Sequence, residues 1–124
     1  MPWNLDSDRP IFMQILERIR VDIISGRYQP GDKLPSVREL AAEAAVNPNT
    51  MQRAFAELER TGLVHSKRTN GRFITEDREM IETLKVDIAK EKIQLFLDSM
   101  EQLGYDKEQI LALMSQTLDG KGEQ

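Results

Sequence analysis

Ser36-Val37-Arg38-Glu39-Leu40-Ala41-Ala42-Glu43-Ala44-Ala45-Val46-Asn47-Pro48-Asn49-Thr50-Met51 decides the fold, because this stretch contains two helix starts in quick succession. Ser36 and Glu39 have capping-box spacing: the serine oxygen accepts from the third helical amide while the glutamate carboxylate reaches back to the serine amide. The helix that begins there is short and alanine-rich, with Leu40, Ala41 and Ala44 as its inward side. Asn47 is a second capping residue, and Pro48 follows at a first-turn position where a missing N–H is no loss. Two short helices joined by a tight turn are the sequence form of a helix-turn-helix.

Outward from this stretch, the second helix runs to about Thr61, where Gly62 ends it. At about 100° per residue, Met51, Ala54, Phe55 and Leu58 share one side, Asn49, Arg53, Ala56 and Arg60 stand opposite, and Thr50 and Gln52 lie on the flanks. Downstream, Leu63 to Lys67 and Arg72 to Thr75 are β-prone runs joined by Arg68-Thr69-Asn70-Gly71, and Asn-Gly is a strong hairpin signal. Upstream, a helix is expected from about Arg9 to Ser25, capped by Asp8, with Pro10 in its first turn and Gly26 as its stop. Its apolar stripe is Phe12, Ile15, Leu16, Ile19 and Ile23. Tyr28-Gln29-Pro30-Gly31-Asp32 reads as a turn, and Lys33-Leu34 as a very short strand before Pro35.

The side of the second helix opposite its apolar stripe carries amide, hydroxyl and guanidinium groups near the helix start, which is the equipment of a major-groove reader. Arginine suits guanine, asparagine and glutamine suit adenine, and a helix N-terminus accepts phosphate. Asn49, Thr50, Gln52 and Arg53 are the candidates. Arg38 adds to them, since a cation in the first turn of a helix opposes the macrodipole and an external anion would account for it. An ion pair with Glu39 or Glu43 is the alternative. At the hairpin tip, Lys67, Arg68, Asn70 and Arg72 surround Gly71, which lets the backbone approach closely, and this suits phosphates or a minor-groove edge.

The 124 residues fit one compact domain plus an appendage. A net charge of −4 looks wrong for a nucleic-acid binder until it is divided: residues 1–75 carry 11 Lys and Arg against 9 Asp and Glu, and residues 76–124 carry 6 against 12. Halves of opposite sign assign one to an anion and the other to solubility or protein contact. There is no cysteine, a single histidine (His65), no phosphate-cradling glycine loop and no convergent acids. Catalytic residues, metal ligands and cofactors are therefore expected to be absent. No signal peptide or membrane-length apolar run is visible, so a cytoplasmic location is expected. After Thr75, apolar residues recur at helical spacing through one helix of about 25 residues, stopped by Gly104, and a final helix capped by Asp106. Ile81, Leu84, Ile88, Leu95, Phe96, Met100, Leu111, Met114 and Leu118 are too many for so thin a hairpin to bury alone, so they are the expected dimerisation face.

Tyr28 to Ala41, including Pro30-Gly31-Asp32-Lys33-Leu34-Pro35-Ser36, resembles the signature of GntR-type regulators. Asn47 to Phe55, Glu57 to Leu63 and the wing glycine Gly71 continue the resemblance in order over about residues 9–75. The short tail is similar to that of the YtrA branch, whose members lack a large ligand-binding domain and pair through it. The resemblance implies DNA contacts at Arg38, Asn49, Thr50, Gln52, Arg53 and Gly71, and repression by blocking polymerase. Pro48 departs from members with an arginine there, so one contact is lost. The expected architecture is mostly α with a small β-hairpin: a winged helix-turn-helix over residues 1–75 and a two-helix dimerisation tail over 76–124. The expected partners are a double-stranded DNA operator with inverted repeats, a second copy of the chain, and a small-molecule effector in an apolar cleft of the tail. A pure protein-docking module is the rival class, opposed by outward Asn49, Arg53 and Arg60, since docking faces present aromatic or aliphatic anchors. An enzyme is third.

Overall fold

The computed structural model describes residues 3–68 and 71–122. Five helices and one hairpin follow in the order α1 (Ile11–Ile24), α2 (Val37–Ala44), α3 (Pro48–Arg60), β1 (Val64–Lys67), β2 (Gly71–Ile74), α4 (Arg78–Gln102) and α5 (Lys107–Gly122). Both central starts form as the sequence predicts. Ser36 Oγ accepts from the Glu39 amide at 3.0 Å while Glu39 Oε1 accepts from the Ser36 amide at 3.3 Å, and Asn47 Oδ1 accepts from the Asn49 amide at 2.8 Å. Between them the chain reverses at Ala45, which adopts the left-handed conformation with φ 58.

The first helix departs from expectation at its start. It begins at Ile11, with Pro10 at the boundary and no side-chain cap, because the residue before a proline is driven out of the helical region and Arg9 therefore cannot extend the helix. Asp8 does not cap it; the Asp8 amide instead donates to Asp6 Oδ1 at 2.9 Å. Buried Gln14 holds the segment before the helix, accepting from the Asp6 amide at 2.6 Å and donating to the Arg9 carbonyl at 3.0 Å.

The N-terminal compact unit runs to Lys85. Its core joins Ile15, Ile19 and Ile23 of α1, Leu40 of α2 and all four stripe residues of α3 to Leu34, Leu63, Val64 and Ile74. Met80, Ile81 and Leu84, from the first turns of α4, pack half-buried against the same core. In the hairpin, Val64 pairs with Ile74, Ser66 with Arg72 and Lys67 with Gly71. The expected short strand is a single bridge from Lys33 to Phe73, flanked by Leu34 donating to the Arg72 carbonyl and Ile74 donating to the Asp32 carbonyl, both at 2.8 Å. The base of the wing is thereby tied to the segment before α2.

The second unit begins at Val86. Gly104 (φ +94) turns the chain, and Asp106 and Gln109 form a reciprocal cap for α5, each side chain 2.9 Å from the other's amide. Ile110 is the buried side chain among the described residues of this unit.

A left-handed conformation costs an alanine about 1–2 kcal/mol, and glycine avoids this at the expense of roughly 0.5–1 kcal/mol of chain entropy. Ala45→Gly should therefore leave stability unchanged or raise it by up to about 1.5 kcal/mol, while Ala45→Val should lower it, as read from urea midpoints. Marked destabilisation by glycine would show that the turn is held by contacts of the Ala45 methyl group.

Candidate nucleic-acid interface

Capping by Asn47 sets the start of α3, and the burial of Met51, Ala54, Phe55 and Leu58 sets its rotation. Asn49, Gln52 and Arg53 consequently stand exposed and Thr50 half-buried on the first two turns, opposite or flanking the core. Arg53 does not hang free. Its guanidinium stacks 4.1 Å from the centroid of the Phe12 ring on α1, a platform that limits its rotamers and leaves its N–H edge for a ligand. Arg60, also outward, is taken up by Glu57, with Nε 2.9 Å from Oε2.

Arg38 is the second residue of α2 and is exposed. Among the described residues it has no ion pair: Glu39 is engaged by Ser36, and no bridge joins Arg38 to Glu43. The alternative of a local ion pair is thus not the arrangement found, and an uncompensated cation stays beside the positive end of a helix dipole.

The wing sorts its cations into two kinds. Lys67 lies on the outer face with Nζ 4.6 Å from the centroid of Phe73, and Arg68 is exposed at the tip. Asn70 lies outside the described residues. Gly71 adopts φ +90, and a Cβ there would come 3.2 Å from Cε of Lys33, so its conformation and the close approach of Lys33 both favour glycine. Arg72 is different: it turns inward, donates from Nε to Glu59 Oε1, and sits 5.2 Å from the centroid of buried Phe55. Ser66 Oγ donates to the same Glu59 oxygen at 2.9 Å. Glu59 and Phe12 were not among the residues expected at the site. Strand alternation in Val64–Lys67 placed Ser66 on the inward face, but its partner on another element leaves no local signal.

Of the expected pairing residues, Ile81 and Leu84 belong to the N-terminal core described above. Leu95, Leu111 and Leu118 are 63%, 66% and 65% exposed, Phe96 and Met114 are also exposed, and Ile88 and Met100 are half-buried. Within the second unit, Phe96, Met100, Leu113, Met114, Thr117 and Leu118 line an apolar cleft of about 360 Å³.

Residues 13–74 match the family model described as bacterial regulatory proteins, gntR family. The chain is 37% identical over 100 residues to the HTH-type transcriptional repressor YtrA of Bacillus subtilis, covering 81% of this chain and 72% of that protein. A solved GntR family transcriptional regulator from Listeria monocytogenes superposes with a TM-score of 0.84 at 46% identity, over 90% of this chain and 98% of that one. The AraR DNA-binding domain, solved in complex with operator ORE1, aligns with a TM-score of 0.52 at 28% identity over 60% of this chain and 94% of that one.

Burial pushes the Glu59 carboxyl up, but hydrogen bonds from Arg72 and Ser66 and the Arg72 charge outweigh it and hold the group below its ordinary value. A carboxyl depressed by folding contributes stability that is complete above its unfolded value and is lost as pH falls through the folded one. Carbon-detected NMR titration should place the Glu59 midpoint below that of a glutamate in an unstructured peptide, and Arg72→Ala should raise it. A wild-type midpoint at the peptide value would mean that the contact does not persist in solution.

Proposed function

The chain belongs to the GntR family of bacterial regulatory proteins and is a DNA-binding transcription regulator, and we propose that it acts in the cytoplasm as a homodimeric repressor on an inverted-repeat operator. The observation that carries this reading is the exposure of Asn49, Gln52 and Arg53 on the first two turns of α3, together with exposed Arg38, which has no ion pair among the described residues, and the exposed wing cations Lys67 and Arg68. In this reading the N-terminal half of α3 enters the major groove, Gln52 and Arg53 read base edges, and Asn49, Thr50 and Arg38 fix register on phosphates and bases. Lys67, Arg68 and the Gly71 backbone follow the adjacent phosphate chain, and Asn70, outside the described residues, is assigned to the same contact from the sequence. Repression is supported by the relative named as a repressor, and operator binding by the complex of the AraR domain.

Pairing is assigned to the tail. Leu95, Phe96, Leu111, Met114 and Leu118 leave a single copy with more apolar surface than water tolerates well, and a second copy would cover it. Two-fold pairing presents two α3 helices to two half-sites, so binding by one assists the other. The apolar cleft has the volume and lining of a small-ligand site. Because its walls include Phe96, Met114 and Leu118 of the same face, an effector lodged there would act on pairing.

On a duplex selected by the protein from a random library, Gln52→Ala and Arg53→Ala should each weaken binding by about 1–3 kcal/mol and relax base preference. Unchanged affinity and unchanged preference in both would remove α3 from the reader's role. Truncation after Lys85, which keeps Met80, Ile81 and Leu84 on their core, should leave a folded monomer that loses operator affinity while retaining non-specific binding. A fragment still dimeric by light scattering and binding at full strength would refute the role of the tail.

A further inference from the structure

Ser66 and Arg72 face each other across the hairpin, so their side chains leave it on the same face, the one that also carries Val64 and Ile74 toward the core. Both end on one atom. Glu59 Oε1, near the C-terminal end of α3, accepts from Ser66 Oγ of β1 and from Arg72 Nε of β2. The Arg72 guanidinium is also stacked toward Phe55, whose ring is fully buried beneath α3. At the base of the hairpin, Val64 and Ile74 are anchored by burial, but further out His65, Ser66 and Lys67 are exposed. A two-stranded ribbon has little stability of its own, and among the described residues of its outer half no apolar side chain is buried; the Leu34 amide ties the Arg72 carbonyl of β2, which leaves the angle toward α3 to side-chain contacts.

We propose that Glu59, Ser66 and Arg72 form a clamp that sets the angle of the wing against α3, and that Arg72 is a positioning residue, not a phosphate contact. The clamp rests on the DNA reading given above and specifies how its two contact surfaces are kept in register. A single carboxylate oxygen gathers both strands onto the helix that reads the bases, so Lys67 and Arg68 reach the phosphate chain at a place fixed by α3. Preorganisation of this kind raises affinity by removing an ordering cost at binding. The clamp reverses the simple electrostatic expectation at Glu59. Removing the negative charge of Glu59 from a surface that faces a polyanion should strengthen binding if charge alone mattered, whereas loss of the clamp weakens it.

The experiment uses the full chain, the duplex it selects from a random library and an unrelated duplex, with anisotropy titrations across salt concentration. Arg72→Ala and Glu59→Ala should each weaken binding to the selected duplex on the order of tenfold, in keeping with couplings within a hydrogen-bonded network. The double variant should be little worse than either single one. The log–log salt slope should stay at the wild-type value in both, while Arg68→Ala flattens it by about one unit. The charge-swapped pair Glu59→Arg with Arg72→Glu should recover much of the loss, and Ser66→Ala, which removes one of two donors, should show a smaller loss with an unchanged slope. A flatter slope for Arg72→Ala together with tighter binding by Glu59→Ala would overturn the proposal and make Arg72 a phosphate contact. Full affinity in all the variants would overturn it as well. If the wild-type chain selected no duplex at all, the DNA reading itself would fall, a result distinct from failure of the clamp.

Discussion

Helix α3 is fixed about its own axis by four side chains, Met51, Ala54, Phe55 and Leu58, each withdrawn completely from water. Burying a large apolar side chain is worth about 1.5–3 kcal/mol over leaving it exposed. Turning the helix by one residue position would carry Gln52 and Glu59 into the core in one sense, or Thr50 and Glu57 in the other, and a buried polar group without a partner is costly. The rotation is therefore single-valued. Asn49 and Arg53 face outward because Met51 and Phe55 must face inward, and Glu59 lies toward the wing for the same reason. Under the proposed reading, recognition by this surface would be a by-product of packing, with the specificity carried by side chains that packing leaves over.

The polar contacts around α3 refine what burial sets. Arg53 is steadied by Phe12 and Arg72 by Phe55 and Glu59, whereas Arg38 has no such partner among the described residues. Cations next to aromatic rings lose side-chain freedom before any ligand arrives, and a cation beside the start of α2 is disfavoured by some tenths of a kcal/mol until an anion approaches. Under the proposed reading both effects would act in the same direction, lowering the free energy of the DNA-bound state relative to the free one. The acidic excess of residues 76–124 reverses the sign of the chain's net charge.

What was legible in the sequence follows the range of the interactions involved. The starts of α2, α3 and α5, the Gly62 and Gly104 stops, the hairpin and the inward stripe of α3 all depend on residues within a few positions of one another, and all were readable. The start of α1 was misjudged because Asp8 satisfied a capping pattern while the restriction that Pro10 places on Arg9 acted against it. The inward turn of Arg72 was not readable, since in a strand of four residues a basic side chain beside a glycine looks like a tip cation until Glu59, 13 residues away in sequence, is brought next to it. Ile81 and Leu84 follow the same period as the apolar residues after them, and only the core of the N-terminal unit distinguishes them. Periodicity reports which residues share a face and is silent on what that face meets.

The tail makes that silence concrete. Helix α4 carries apolar side chains on more than one side, with Val86, Ile93, Leu95 and Phe96 all exposed, so a single neighbouring helix of 16 residues cannot cover them. Its 25 residues span about 37 Å, against about 24 Å for α5. Apolar surface on both helices in excess of their mutual contact is a property of half a bundle, and under the proposed pairing a symmetric partner would supply the missing half with the same residues. Under the proposed pairing, the free energy of association and that of operator binding become linked, because each copy added to DNA brings its own cover for the other's tail. A ligand in the cleft beside Phe96 and Met114 would then act on DNA affinity without touching the reading helix, through the differential stability of paired and unpaired tails.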